Sequence, residues 1–374
     1  MDRRALTRVI DRPHAERKLP ADAIVPWARY CAGRVLDPVG AGQLIAPLRN
    51  VVANAPGFAN GWAALVEMLF SDSIEGSGDR AALRREALAA ADHALAIDPQ
   101  TAGAWVAKGW LEIGIAGDDP AAGKAHRFGD FAKWKHLADL STAARPSDCG
   151  CEIQQYGFVL EQMGRASAAL PWYERARANE PRSPTHIRTL ANALVERGRF
   201  GEAETILTEL SQDFGDPPRL IDDRLNLALS RGDWRGAQAL ATKLPETPYT
   251  RLRGELLAAL VAGDRTTVTR AGDDLAALAA GDRGLDRAVV RLRAVAGRPS
   301  EAIRTAARLL DRDGIGHITL LYGPLFAQAR RLPEFAELGA RMNLLGYWRD
   351  PATRADFCAE PDAPPLCRAP SRAT

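Results

Sequence analysis

Apolar positions along this chain come in short, helix-length stretches broken by glycine and proline, and not in alternating apolar–polar runs bounded by turn signals. The pattern predicts helices and lends strands no support. The breaks are periodic. Gly164, Gly198 and Gly232 stand 34 residues apart, and Ala169, Ala203 and Ala237 follow them five residues later. Gly263, Gly297 and Arg331 resume the 34-residue step after one shorter step of 31, with Ala302 and Ala336 again five residues behind. Two parallel tracks at one period mark an array of repeated helix–turn–helix units.

The clearest unit runs from Gly150 to Arg182 and gives each marked residue a physical task. Gly157 lets a neighbouring helix approach closely, and Gly164 ends the first helix where a side chain would be strained in a left-handed conformation. Ala169 and Ala176 keep the second helix thin, Tyr173 fills the space between units, and Pro181 stops the second helix. These residues, with Tyr156 before Gly157, resemble a tetratricopeptide repeat. Residues 150–183, 184–217 and 218–245 are the best copies; the later two keep Leu190-Ala191, Gly198, Ala203 and Leu210, then Leu225, Gly232, Trp234, Ala237 and Pro245.

The N-terminal third follows the same logic with longer steps. Its units end at Ala53–Pro56, Ala96–Pro99 and Ala143–Pro146, and Trp62 and Trp105 each follow a proline by six residues. Steps of 43 and 47 residues place insertions at Ser71–Asp79 and Gly117–Lys124, both rich in loop-forming residues. The expected layout is an N-terminal arm or helix over 1–25, an array over 26–348 and a Pro-rich tail over 349–374. The array holds roughly eight helical hairpins.

The resemblance implies an all-α, right-handed superhelical solenoid of antiparallel helix pairs. Its concave surface is lined by the first helix of each pair and holds a peptide or helix of another protein. In this chain the concave positions are polar: Gln154, Gln155, Arg188, Asn192, Asp222, Asp223 and Asn226. Asn192 and Asn226 are equivalent, and their amides offer a donor and an acceptor each to an extended backbone. The positions that clamp a C-terminal carboxylate in some members of the family include Cys151, Gln155, Arg219 and Asp223 here; Asp223 would repel that group.

Charge and composition narrow the partners. A net charge of +2 leaves no basic excess for nucleic acid. No apolar stretch is long enough for membrane insertion, and the charged start, MDRRALTRVIDR, lacks the apolar middle of a secretory leader. The expected compartment is the cytoplasm, or the periplasm if the chain is part of a longer membrane-anchored protein. Five cysteines do not make a disulfide scaffold.

Other constellations have plainer readings. His126, His136, Cys149 and Cys151 match no zinc spacing. Cys149 and Cys151 follow a candidate helix cap at Ser147-Asp148 and read as small residues entering a helix. Arg304, Arg308 and Arg312 form one helical stripe and Arg287 with Arg291 another, interleaved with acids as on a solvated face. Trp62, Trp105, Trp172 and Trp234 are expected to pack in the core. No phosphate-binding loop, nucleophile elbow or zinc-protease helix is present, so no cofactor and no catalytic residue is predicted.

The C-terminal part carries a narrower resemblance. Pro333-Glu334-Phe335, Gly346-Tyr347-Trp348, Asp356-Phe357-Cys358 and Cys367 resemble the end of bacterial tetratricopeptide segments linked to winged-helix or cyclase domains in signalling proteins. That implies an alternative role as the sensory module of a transcription or second-messenger system. Cys358 and Cys367 are near enough in sequence to be bridged in an oxidising compartment and remain thiols in the cytoplasm.

Overall fold

The computed structural model describes residues 19–35, 41–75, 79–113, 151–281, 285–313 and 315–368. Among them there is no β-strand. The fold is all-α, a series of helix pairs. Two compact units divide it: Met1–Val159 with Pro171–His186, and Leu160–Leu170 with Ile187–Thr374.

Unit 1 holds α1 (Ala21–Val35), α2 (Ala41–Asn54), α3 (Ala59–Glu75), α4 (Arg80–Ile97) and α5 (Ala102–Ile113), with most of α6 (Cys151–Gln162) and α7 (Ala166–Asn179). Helix α1 packs on α2, α2 on α3, α3 on α4, and α5 on both α3 and α4. Leu48, Leu65 and Leu69 are among the residues that fill the core between them. Each such leucine contributes about 1.5–3 kcal/mol by leaving water. The two tryptophans placed six residues after a proline do the same local job. Trp62 donates its indole N–H to the Pro56 carbonyl at 2.9 Å, and Trp105 to the Pro99 carbonyl at 2.8 Å. Each ties the loop that enters a helix to the first turn of that helix. Both rings are half-buried, as are Trp172 and Trp234, and Trp62 and Trp234 pack against core clusters, as expected.

One expected insertion is part helix. Helix α3 continues through Ser71 to Glu75, because the buried Ser73 satisfies its hydroxyl within the helix, on the Phe70 carbonyl at 2.7 Å. The other, Gly117–Lys124, lies outside the described residues.

Unit 2 continues the pairing with α8 (Pro184–Glu196) and α9 (Phe200–Phe214), α10 (Pro218–Ser230) and α11 (Trp234–Ala241), α12 (Pro248–Ala262) and α13 (Arg265–Gly281), and α14 (Asp286–Val295) and α15 (Pro299–Asp313). The glycine track is a track of left-handed turns: φ is +81° at Gly164, +69° at Gly198, +76° at Gly232, +72° at Gly263 and +73° at Gly297. In each, the next residue donates back to the carbonyl six positions earlier, counting both ends, as from Arg165 to Leu160, Arg199 to Leu194 and Asp233 to Ala228, all at 2.9 Å. This is the Schellman closure of a helix end, and it needs a residue that tolerates positive φ. Arg331 breaks the track with φ −83°, since its side chain disfavours the left-handed region. The same closure reappears further on with an asparagine: Asn343 has φ +58° and Leu344 donates to Gly339 at 2.8 Å. On the alanine track, Ala169, Ala203, Ala237 and Ala302 are each 0% exposed, whereas Ala336 is half-buried.

The chain then changes character. Two 3₁₀ turns (Ile315–Leu321 and Pro324–Phe326) lead to the short α16 (Ala327–Arg330), α17 (Pro333–Arg341) and α18 (Leu345–Arg349), and two more 3₁₀ turns follow at Asp356–Ala359 and Pro365–Cys367. Residues past 349, expected as a tail, are packed through residue 368. Phe335 stacks on Trp348 with centroids 5.2 Å apart, and Phe357 meets both rings edge-on. This cluster lies against the Gly164 turn. The Asp356 carboxylate accepts the Ser167 N–H at 2.6 Å and so caps the start of α7 from 189 residues away. Cys358 and Cys367 are joined by a disulfide with Cα atoms 5.3 Å apart.

Candidate functional site

The first helices of the pairs in unit 1 place matching stripes on one side. In α3, Asn60, Ala63, Ala64 and Glu67 follow the spacing i, i+3, i+4, i+7; in α5, Gly103, Val106, Ala107 and Trp110 repeat it 43 residues later. Small side chains on both stripes leave a hollow of about 70 Å³. Trp27 and Tyr30 of α1, Phe70 of α3 and Trp110 wall it, and Gln155 of α6 reaches it from the next pair. Every described lining residue comes from a first helix. The aromatic wall is held from behind: Trp27 meets Phe58 edge-on at 4.9 Å, and Phe70 lies 5.7 Å from Trp110. The Gln155 amide donates to Glu67 at 3.4 Å, which sets the carboxylate in the wall.

In unit 2 the first helices carry charge instead of aromatic rings. Arg188 on α8 forms a fork to Asp223 on α10, with Nη2 to Oδ1 at 2.9 Å. Asp222 on α10 accepts from Arg253 on α12 at 2.9 Å, and the Arg253 guanidinium lies over the Tyr249 ring. Arg291 on α14 is half-buried and feels the charges of Glu196, Asp223, Tyr249 and Asp222, so it belongs to this interior and not to a solvated stripe with the exposed Arg287. Burial, with the neighbouring Glu161 carboxylate, pushes Glu196 well above the usual carboxylate range, and Arg291 works against both. Burial likewise raises the Tyr249 and Tyr322 phenols.

The seven expected partner-binding residues therefore have different surroundings. Gln155 lines the hollow of unit 1 and Gln154 is buried beside it. Arg188, Asp222 and Asp223 are engaged in ion pairs between successive first helices. Asn192 is exposed and Asn226 half-buried. Sequence reasoning passed over the aromatic wall, Arg253 and Glu196. The signal for the wall was the 43-residue step, which aligns Asn60 through Glu67 with Gly103 through Trp110. His126, His136 and Cys149 lie outside the described residues. Among those described, no group of three or more His, Cys, Asp or Glu side chains is placed to hold a metal. Arg304 and Arg308 are exposed. No described helix is long and apolar enough to cross a membrane.

Residues 160–221 match the family model described as "Tetratricopeptide repeat". No curated protein matches the chain. Among solved structures, pilF of Pseudomonas aeruginosa is similar with 17% identity and a TM-score of 0.36, over 60% of this chain and 88% of that one. Yeast Tom70 is similar with 11% identity and a TM-score of 0.36, over 92% and 67%. The P58(IPK) TPR domain is similar with 11% identity and a TM-score of 0.25, over 87% and 99%.

Proposed function

We propose that this chain, with tetratricopeptide repeat over 160–221, is a non-catalytic protein–protein interaction scaffold that holds a peptide or helix of another protein on its first-helix face. One observation carries the reading: the described wall of the unit 1 hollow is built by first helices alone, at equivalent positions of successive pairs. A hollow of about 70 Å³ suits the end of one anchoring side chain. Within unit 2, the exposed amide of Asn192 and the half-buried Asn226, on first helices, are proposed contacts for a partner backbone.

A photo-crosslinking residue at Ser71, in the hollow, tests this against one at the exposed Arg85 on second helix α4. Adducts to one partner protein are expected from Ser71 and not from Arg85. Equal labelling from both positions, or none from Ser71, would sink the proposal. Replacing Asn192 and Asn226 together is expected to weaken capture of that partner while leaving helicity unchanged.

A second reading, the sensory module of a bacterial signalling system, is favoured by one fact. The residues that resemble such segments, Phe335, Trp348, Asp356 and Phe357, converge on one structure, the cluster over the Gly164 turn. A winged-helix or cyclase domain encoded in frame with this chain would support it; a gene lacking both would count against it.

A further inference from the structure

The charged interior of unit 2 has an occupant from its own chain. The segment Tyr322–Phe326 (Tyr-Gly-Pro-Leu-Phe) joins two 3₁₀ turns and holds no α-helix, and it lies across first helices. Its Pro324–Phe326 turn packs on α10 and on α14. Gly323 sits against Glu196 near the end of α8, where a methyl would stand 3.6 Å from the Glu196 Cα. Pro324 faces the Gly198 turn. Tyr322 and Phe326 are buried, 6% and 3% exposed, while Pro324 between them is exposed. Two buried aromatic side chains flank an exposed proline, as in a short peptide laid on a surface.

The segment's shape is set from its outer side. Arg330, 1% exposed, donates one guanidinium nitrogen to three successive carbonyls, those of Leu321 at 3.2 Å, Tyr322 at 2.8 Å and Gly323 at 2.7 Å. Its other terminal nitrogen donates to Glu360 at 2.8 Å, inside the loop closed by the Cys358–Cys367 disulfide. Arg330 therefore satisfies the Tyr322 and Gly323 carbonyls, while the N–H groups of Tyr322 and Phe326 donate to the nearby Thr319 and Gly323 carbonyls at 3.0 Å. Among the described hydrogen bonds none joins the backbone of the segment to α8, α10 or α14; it is held by the buried Phe326 and by Tyr322, whose hydroxyl donates to the Gln162 carbonyl and whose ring packs on Phe357 and Trp348.

We propose that Tyr322–Phe326 is an intramolecular ligand that shuts the first-helix face of unit 2, with Arg330 and Glu360 as its brace and the disulfide as the anchor of that brace. The face it covers takes an extended segment with aromatic residues four apart around a Gly-Pro turn. Reduction of Cys358–Cys367 by a dithiol, two electrons and two protons yielding two thiols and the oxidised dithiol, frees the Glu360 loop and loosens the segment. The proposal rests on the first-helix face being the holding face. Its test uses the chain's own sequence as ligand, so it is decided whether or not an outside partner is ever captured.

The experiment uses the full chain and a fluorescein-labelled peptide, Leu-Leu-Tyr-Gly-Pro-Leu-Phe-Ala, copied from residues 320–327. Fluorescence anisotropy is measured for the wild type, for Glu360→Gln and for Cys358→Ser/Cys367→Ser, each checked for native helicity. The wild type is expected not to bind. Both loosened variants are expected to bind at least tenfold more tightly than the wild type, and less so when Phe326 of the peptide is replaced by alanine. Hydrogen exchange of Tyr322–Phe326 is expected to quicken in both variants. Folded variants that neither bind the peptide nor exchange faster over this segment would show it to be a permanent part of the core and overturn the proposal.

Discussion

The indole N–H of Trp348 donates to the backbone carbonyl of Met163, 3.2 Å away and 185 residues earlier in the chain. It does not act alone. The carbonyls of Gln162, Met163 and Gly164 accept in order from the Tyr322 hydroxyl at 2.9 Å, the Trp348 indole and the Asp356 N–H at 2.8 Å. The last carbonyls of a helix have no partner within it. At the end of α6 the C-terminal residues supply the missing donors one by one.

This arrangement makes Gly164 unlike the other turn glycines. A methyl at Gly164 would meet the Ala355 methyl at 2.9 Å, whereas one at Gly232 would meet only Trp234 Cζ2, at 3.9 Å. Both positions have positive φ, so alanine at either costs about 1–2 kcal/mol of backbone strain. Gly164→Ala is expected to cost about 1–3 kcal/mol more than Gly232→Ala through overpacking. Urea denaturation of the two variants measures the difference; equal midpoints would mean that the cluster yields freely.

Gly157 faces the buried ring of Tyr173, with a methyl there falling 2.9 Å from Cδ1. Gly157→Ala should destabilise by about 1–3 kcal/mol. Adding Tyr173→Leu should recover part of that loss, because the two changes share one contact. Additive losses in thermal unfolding would argue against the close approach.

The Arg188–Asp223 fork is mostly buried, its side chains 17% and 7% exposed. Removing one member strands the other charge. Arg188→Ala is therefore expected to cost about 3 kcal/mol, and Arg188→Met with Asp223→Leu much less. Denaturant midpoints of the single and double variants decide it.

Glu196 gives a pH signature. Folded Glu196 keeps its proton to higher pH than the unfolded chain does, because burial and Glu161 raise it despite Arg291. Its contribution is fully present below the ordinary carboxylate range and is lost as pH rises through the folded value. Glu196→Gln has no such proton to lose. The wild-type melting temperature should thus fall relative to that of the variant as pH rises above the ordinary carboxylate range. A gap that stays constant as pH rises would contradict the shift.

The part of this structure that was legible in the sequence is the part set locally. A left-handed turn needs glycine whatever surrounds it, so Gly164, Gly198, Gly232, Gly263 and Gly297 announce their turns directly. Ala169, Ala203 and Ala237 announce close packing for the same reason. Pairings between helices were not legible. Nothing near Asp223 in the chain says that Arg188 will neutralise it, and nothing near Phe357 says that it will face Trp348. The prolines beyond residue 360 resemble those of an unfolded tail, yet Leu366 and Cys367 among them are buried, the turn they form packing on α18 and tied by the disulfide to Cys358.

The capping of α6 by Tyr322, Trp348 and Asp356 also orders events at the ribosome. Helix pairs such as α10 with α11 join neighbours in sequence and can form as they emerge. The carbonyl row at 162–164 must wait, solvated, for nearly two hundred further residues to be translated. Nascent chains arrested before residue 357 would carry bare aromatic surface around Tyr322 and Phe335, and would be the species most prone to stick to chaperones or to each other.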